Sequence, residues 1–452
     1  MSGEKRGMHG VWSGRWTFIL AATGSAVGLG NLWKFPYIAG ENGGGAFVLI
    51  YLACILLAGI PVMLAEVLLG RKKRMSPINT MKEMTDDTDA PRFFRGIGWL
   101  GALSGFFILS FYSVIAGWAL LYVGKTASGA LTGVTSDGSG AAFNAMLADP
   151  VGLTIWHTLF MFLTAAVIAR GVNKGLEASL KILMPVLFIL MLILFGYSLT
   201  TSGFMQGFHF LFDFDFSKLT TESIVVALGH SFFTLSLGMG AIMAYGAYMP
   251  SKQSLGRTIL WVGLLDTLVA LIAGMIIFAI VFSNGLEPSS GPGLMFVSLP
   301  IAFGSMPGGV FFGTVFFVLV SIAALSSAIS IAEPAVAWAV EKGISRIVAS
   351  ATICSFAWFI GLGSVLSFNE WSEYKLFGKT FFDVLDFLTS SIMLPLGGLL
   401  IAIFVGWFMS TDMIRKEMRM KNDVIFTVWR FILRFISPVA ITLIFINGLG
   451  LL

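Results

Sequence analysis

Charged side chains are scarce in this sequence. Only 12% of its 452 residues are Asp, Glu, Lys or Arg, roughly half the share a soluble domain carries. Cysteine is nearly absent too: Cys54 and Cys354 both lie inside apolar segments, which argues against an extracellular disulfide or a metal cluster. The four histidines have no zinc spacing. No cleavable signal peptide is evident, because Met1 to Arg15 is polar and the first apolar run lacks a small-residue cleavage site. A nucleic-acid role is excluded by the placement of Lys and Arg, which sit between hydrophobic runs and not on one face. No nucleophile–base pair falls within those runs, so the chain does not read as an enzyme.

What is abundant is hydrocarbon. The chain is 57% hydrophobic with a mean hydropathy of +0.89, the composition of an all-α polytopic membrane protein with nearly all its mass in the lipid bilayer. Runs of about 20 apolar residues predict about eleven spans, with approximate limits 16–39, 46–70, 97–124, 152–169, 177–200, 223–249, 257–284, 309–341, 346–368, 380–410 and 424–449.

Basic residues set the orientation. Lys5, Arg6 and Arg15 precede the first span, and Arg71-Lys72-Lys73-Arg74, Lys82, Arg92 and Arg95 follow the second. Arg170, Lys174, Lys252, Arg257, Lys342, Arg346, Arg415, Lys416, Arg419 and Lys421 fall on the same side. The positive-inside rule then makes the N-terminus cytoplasmic, and an odd span count puts Leu452 outside the cell membrane.

Two spans interrupt themselves. The first breaks at Gly24-Ser25-Ala26-Val27-Gly28-Leu29-Gly30-Asn31, followed closely by Lys34 and Pro36; the sixth breaks at Ser236-Leu237-Gly238-Met239-Gly240. An unwound stretch is tolerated at membrane depth only where it lines a cavity or is buried in protein. Its freed carbonyls suit a cation, and half-helix N-termini suit an anion. Two such segments, about five spans apart, predict inverted repeats with a binding site at the midplane. Asp266 is the sharpest single residue, since a carboxylate in mid-span marks an ion or substrate pathway by default.

Together with Trp33-Lys34-Phe35-Pro36, Glu41-Asn42-Gly43-Gly44-Gly45-Ala46-Phe47, Gly59-Ile60-Pro61 through Glu66 and Gly70-Arg71, these breaks resemble the neurotransmitter:sodium symporter family, closely its bacterial amino-acid branch. Arg170-Gly171 through Lys174-Gly175, Phe233-Thr234-Leu235-Ser236-Leu237-Gly238 and Gly291-Pro292-Gly293-Leu294 extend the resemblance. It implies one transporter domain over 1–452, made of two inverted five-helix repeats, 12–200 and 220–410, with an additional eleventh helix in 411–452. Many relatives have a twelfth span, and this chain ends after its eleventh.

The resemblance also implies roles. One sodium ion would take the Ala26 carbonyl, the Asn31 side chain, Thr234 and Asp266; a second would take the Gly24, Val27 and Ala323 carbonyls with the Ser326 and Ser327 hydroxyls. Oxygen ligands suit a hard cation. No organic cofactor is expected. The substrate, a hydrophobic L-amino acid, would lie between the breaks in contact with Ala26 and Thr234 as well, its carboxylate near Gly28, Gly30 and the Tyr112 hydroxyl, its amino group near Phe233 and Ser236, and its side chain against Ile108, Met239 and Ile331. Monoamine carriers have an Asp where this chain has Gly28. Chloride-requiring relatives have a neutral residue where this chain has Asp266; their remaining chloride ligands align with Tyr51, Thr234 and His230, the last replacing a Gln.

For the gates, Lys34 and Asp386 align with an extracellular ion pair above a Phe233–Tyr112 lid, and Trp12 and Glu341 with the inner gate, whose usual Arg falls at His9, leaving Lys5 or Arg6 to substitute. Gly175 and Pro185 bracket the start of span five, where unwinding would wet the second sodium site; helix-end punctuation is the competing reading. Glu66 and Glu333 are expected to pair with basic loops, and His157 and His230 to be hydrogen-bonded packing residues.

Overall fold

The computed structural model describes residues 10–251, 253–288, 293–419 and 422–448. Among these residues there is no β-strand, only an isolated bridge between Leu376 and Lys379. Among the described residues nine helices are long and apolar enough to cross a bilayer: Gly45–Lys73, Arg92–Ala127, Pro150–Ala169, Val172–Ser198, Leu255–Ser283, Gly309–Glu341, Arg346–Leu366, Phe381–Phe408 and Asp423–Asn447. Two interrupted spans complete the expected eleven. The first runs Arg15–Ala26 and resumes through Gly30–Lys34 and Phe35–Glu41; the sixth runs Thr221–Thr234 and resumes at Ala241–Ala247. Below, spans are numbered one to eleven in chain order.

Helix is the solution hydrocarbon demands, because it satisfies every backbone group within the segment. Proline disturbs that ladder, and the chain absorbs the disturbance by widening the turn before it. The π-helical turns Gly30–Lys34, Ile55–Gly59, Leu294–Ser298, Phe387–Met393 and Ile432–Ile436 each end two residues before a proline, at Pro36, Pro61, Pro300, Pro395 and Pro438. A wider turn accommodates the missing N–H without ending the helix.

Burial separates the spans into a centre and a rim. The apolar windows of spans three and eight are 72% and 78% buried, whereas those of spans four, five, nine and eleven are only 28–39% buried. The breaks in spans one and six are therefore enclosed by the best-packed helices, and the lipid-facing area falls to the peripheral ones. Span five is helical throughout: Val172–Glu177 forms a π turn and Ala178–Ser198 an α-helix that passes through Pro185. Gly175 lies within the π turn and Pro185 within the α-helix, so neither marks a helix end and no unwound stretch separates them.

Candidate functional site

At the first break, Val27 turns to an extended ψ of 101°. The Gly28 amide, which a continuous helix would give to the Gly24 carbonyl, donates instead to Asn31 Oδ1 at 3.2 Å. Carbonyls are thereby released toward span eight, where Ser327 Oγ lies 3.4 Å from the Gly24 oxygen, 3.2 Å from the Ser25 oxygen and 3.3 Å from the Val27 oxygen. Ser326 Oγ sits 3.0 Å from the Ala323 carbonyl. Of the residues expected around the second sodium ion, Ser327 thus meets the Gly24 and Val27 carbonyls, while Ser326 bonds back to Ala323 within span eight.

The sixth span breaks through left-handed backbone at Ser236, Gly238 and Gly240, with φ of 54°, 78° and 74°. Two of these are glycines, which adopt that conformation freely; Ser236 is fixed by its hydroxyl, which donates to the Ser25 carbonyl at 2.9 Å. The two breaks are therefore bonded to each other directly.

Glu66 holds the second break from span two. It is fully buried, and its Oε1 accepts the Gly238 amide at 2.6 Å. The expectation that Glu66 pairs with a basic loop is overturned: a carboxylate on a buried helix face instead satisfies a backbone donor freed by unwinding. Glu333 does pair as expected, accepting from the Arg346 guanidinium and from the Tyr248 hydroxyl.

Three of the four residues expected around the first sodium ion, Asn31, Thr234 and Asp266, are hydrogen-bonded to one another. Asn31 Nδ2 donates to Asp266 Oδ1 at 2.8 Å and to the Asp266 carbonyl at 3.2 Å, and Thr234 Oγ1 reaches Oδ1 at 3.1 Å. Asp266, Asn31 and Thr234 are all buried. Among the described residues no ion pair reaches Asp266. A buried carboxylate with only neutral partners is an incomplete electrostatic arrangement, and the donor set around it suits a hard monovalent cation as the missing member.

Between the breaks lies a small cavity. Span one lines it with Ser25, Ala26, Gly28, Leu29 and Gly30, span three with Ile108 and Tyr112, span six with Phe233, Ser236 and Met239, and span eight with Ser327 and Ile331. Of the substrate residues expected from the sequence, Thr234 alone stands outside the lining, turned to Asp266. Ser25 and Leu29 were not anticipated, although their position inside the broken octapeptide was the available signal. The Tyr112 hydroxyl accepts the Leu29 amide at 3.4 Å. The free volume is about 20 Å³, room for about one water, so the walls must part to admit anything larger.

The gates differ from expectation on the extracellular side. Lys34 and Asp386 form no ion pair in this structure. Lys34 Nζ lies 4.5 Å from the centre of the Phe233 ring, and Asp386 accepts the Ser390 hydroxyl at 2.9 Å. A Lys presents a compact charge without the bidentate fork of Arg, and the ring face below offers it a cation–π partner. On the other side Trp12 is buried, its indole donating to the Tyr245 carbonyl at 3.1 Å and its amide to the Tyr248 carbonyl at 2.9 Å. Glu341 accepts from the Ser76 and Asn79 amides, both at 2.6 Å. The suggested partners Lys5, Arg6 and His9 lie outside the described residues, as do Lys252, Gly291, Pro292, Lys421 and Leu452.

His157 behaves as expected, its Nε2 bonding the Trp358 carbonyl at 3.1 Å. His230 does not. Its ring packs against Phe35 and Tyr51, and neither ring nitrogen has a hydrogen-bond partner.

Residues 9–137 and 143–451 match the Sodium:neurotransmitter symporter family. The chain belongs to that family. Among its symporter relatives, the "Uncharacterized sodium-dependent transporter YhdH" of Bacillus subtilis (strain 168) is 42% identical over 447 residues, covering 98% of each chain. An uncharacterized sodium-dependent transporter of Haemophilus influenzae is 33% identical, covering 97% of this chain and 98% of its own. The crystal structure of MhsT in complex with L-phenylalanine superposes with a TM-score of 0.90 at 43% identity, over 97% of this chain and all of that one. This symporter is accordingly a sodium-dependent multi-pass membrane transporter and not an enzyme.

Proposed function

We propose that this chain imports hydrophobic L-amino acids, aliphatic and aromatic, together with sodium, by alternating access and without chloride. The observation that carries the substrate class is the tight packing at Gly28. A Cβ added there would collide with Ser327 Oγ and stand 3.1 Å from the Tyr112 hydroxyl. The aspartate that pairs a monoamine has no place, so the ligand must bring its own carboxylate. The non-helical backbone at Gly28–Gly30 and the Tyr112 hydroxyl supply hydrogen-bonding groups for it, while Ile108, Met239 and Ile331 supply an apolar wall. That MhsT was crystallised with L-phenylalanine supports the same class.

The two groups of oxygen ligands support a reading of two sodium ions per substrate. The first would be held by Ala26, Asn31, Thr234 and Asp266, the second by Gly24, Val27, Ala323, Ser326 and Ser327. Asp266 supplies the negative charge that a neutral residue would leave to a bound anion. The membrane potential then contributes about 2.3 kcal/mol per charge per 100 mV. The moving parts would be the inverted repeats 12–200 and 220–410, with 411–452 as an appended helix, the N-terminus cytoplasmic and the C-terminus outside.

Uptake into proteoliposomes, with sodium, chloride and pH gradients imposed separately, tests this. Labelled leucine and phenylalanine accumulate with a sodium gradient, and gluconate replaces chloride without loss. Accumulation of a monoamine in place of amino acids, or collapse of uptake in gluconate, refutes the respective part.

A further inference from the structure

Spans four and nine run antiparallel along the lipid-facing rim and leave a groove between them with about 470 Å³ of free space. Both helices line it in the same register. Thr158, Met161, Phe162, Ala165, Ala166 and Ala169 occupy one face of span four, and Ile347, Ser350, Ala351, Cys354, Ser355 and Trp358 the matching face of span nine. The recess exists because its floor is built from small side chains while Phe162 and Ile347 stand out at its edges, each more than 60% exposed.

The groove is closed at both ends. Trp358 Nε1 donates to Thr158 Oγ1 at 2.9 Å at one end, and Arg346 Nε donates to the Ile168 carbonyl at 2.9 Å at the other. The ten-residue step from Thr158 to Ile168 on span four covers about 15 Å, which is half of a hydrocarbon core of about 30 Å and so the depth of one leaflet. No charged side chain lines the groove. Just past the Arg346 clamp, Arg170 and Lys174 are exposed, and among the described residues neither side chain enters an ion pair or hydrogen bond. Arg346 itself is committed to Glu333, and nearby Glu177 to Lys181.

We infer that this groove seats an acyl chain of one anionic phospholipid, with the phosphate held by Arg170 and Lys174. A second copy of the chain fits less well. A two-fold contact on this face would set the same cations of both copies at the same depth, where like charges repel. A phospholipid fills the recess and neutralises them at once. The inference does not depend on which solute is transported.

Native mass spectrometry of the detergent-purified full chain, titrated with phosphatidylglycerol or phosphatidylcholine of matched acyl chains, tests it. The wild type retains the anionic lipid preferentially, and Arg170→Ala and Lys174→Ala each weaken that retention about fivefold. Ala351→Trp, which fills the groove, abolishes the preference, whereas Ile259→Trp, in the separate cleft between spans two, seven and eleven, leaves it intact. Equal retention of both lipids by the wild type overturns the inference. So does a loss in Ile259→Trp equal to that in Ala351→Trp, or a dimer that Ala351→Trp dissociates. Should Ala351→Trp fail to fold, the Arg170→Ala/Lys174→Ala double variant decides: undiminished retention there also overturns it.

Discussion

The Asn31 side-chain amide donates to the carboxylate of Asp266 at 2.8 Å, across 235 residues of chain, in a setting where neither residue is exposed. That bond ties the first broken helix to span seven and orients one carboxylate oxygen toward Thr234, and among the described residues no basic side chain pairs with the carboxylate. On the proposed function, a sodium ion would complete the group. Replacing Asp266 with Asn keeps the shape and removes the charge, so half-saturating sodium should rise at least about tenfold, or about 1.4 kcal/mol. Sodium titrations of uptake in chloride and in gluconate measure it, and an unchanged curve would remove Asp266 from the ion site.

Gly28→Ala probes the close packing at the point where the substrate carboxylate is proposed to bind. The added methyl meets Ser327 Oγ and the Tyr112 hydroxyl, an overpacking cost of about 1–3 kcal/mol. Uptake should fall about tenfold or more, and the thermal midpoint without substrate should drop below the wild-type value as that overpacking requires. Full transport by this variant would mean that the break adjusts more freely than its packing suggests.

Tyr112→Phe removes a hydroxyl that bonds the Leu29 amide and faces the cavity. A hydrogen bond to a charged group contributes about 1.5–3 kcal/mol, so KM rises at least about tenfold. The ranking of competing amino acids should not change, because Tyr112 is assigned to the common carboxylate. A reordered ranking would move Tyr112 to the side-chain pocket.

Glu66→Ala leaves the Gly238 amide buried without its acceptor. An orphaned buried donor costs about 1–3 kcal/mol, and the sixth-span break should lose definition. The expected readout is a lower thermal midpoint that substrate and sodium partly restore. Glu66→Gln, which keeps an acceptor oxygen, should lie between that variant and the wild type.

Met239→Phe narrows the apolar end of the cavity. Competition by tryptophan should weaken far more than competition by leucine, because a stiff ring replaces a side chain that repacks readily. Equal losses for both competitors would place Met239 outside the side-chain pocket.

The spans were legible because hydrocarbon imposes one length and one kind of helix, and predicted limits such as 309–341 coincide with the observed Gly309–Glu341. The breaks were legible because glycine is a costly choice in a buried helix unless the helix stops there. Contacts across the fold were not. Glu66 reads as a helix-end carboxylate until Gly238, 172 residues later, is seen to supply its partner. The expected pairing of Lys34 with Asp386 rested on alignment, and a flexible ammonium found an aromatic face nearer. Ser25 carries no signal beyond its neighbours, yet its hydroxyl donates to Ser330 at 2.7 Å and its carbonyl receives Ser236.

The anchoring of Trp12 has a consequence for synthesis. Its indole finds the Tyr245 carbonyl only after 233 further residues exist. At about 5–20 residues per second, the ribosome takes on the order of 10–50 s to make them. For that interval the first helix, with its unwound middle, has neither the Trp12 staple nor the Ser236 hydroxyl to complete it. The nascent chain must therefore be held by the insertion machinery, or wait in a provisional continuous helix that opens only when span six arrives.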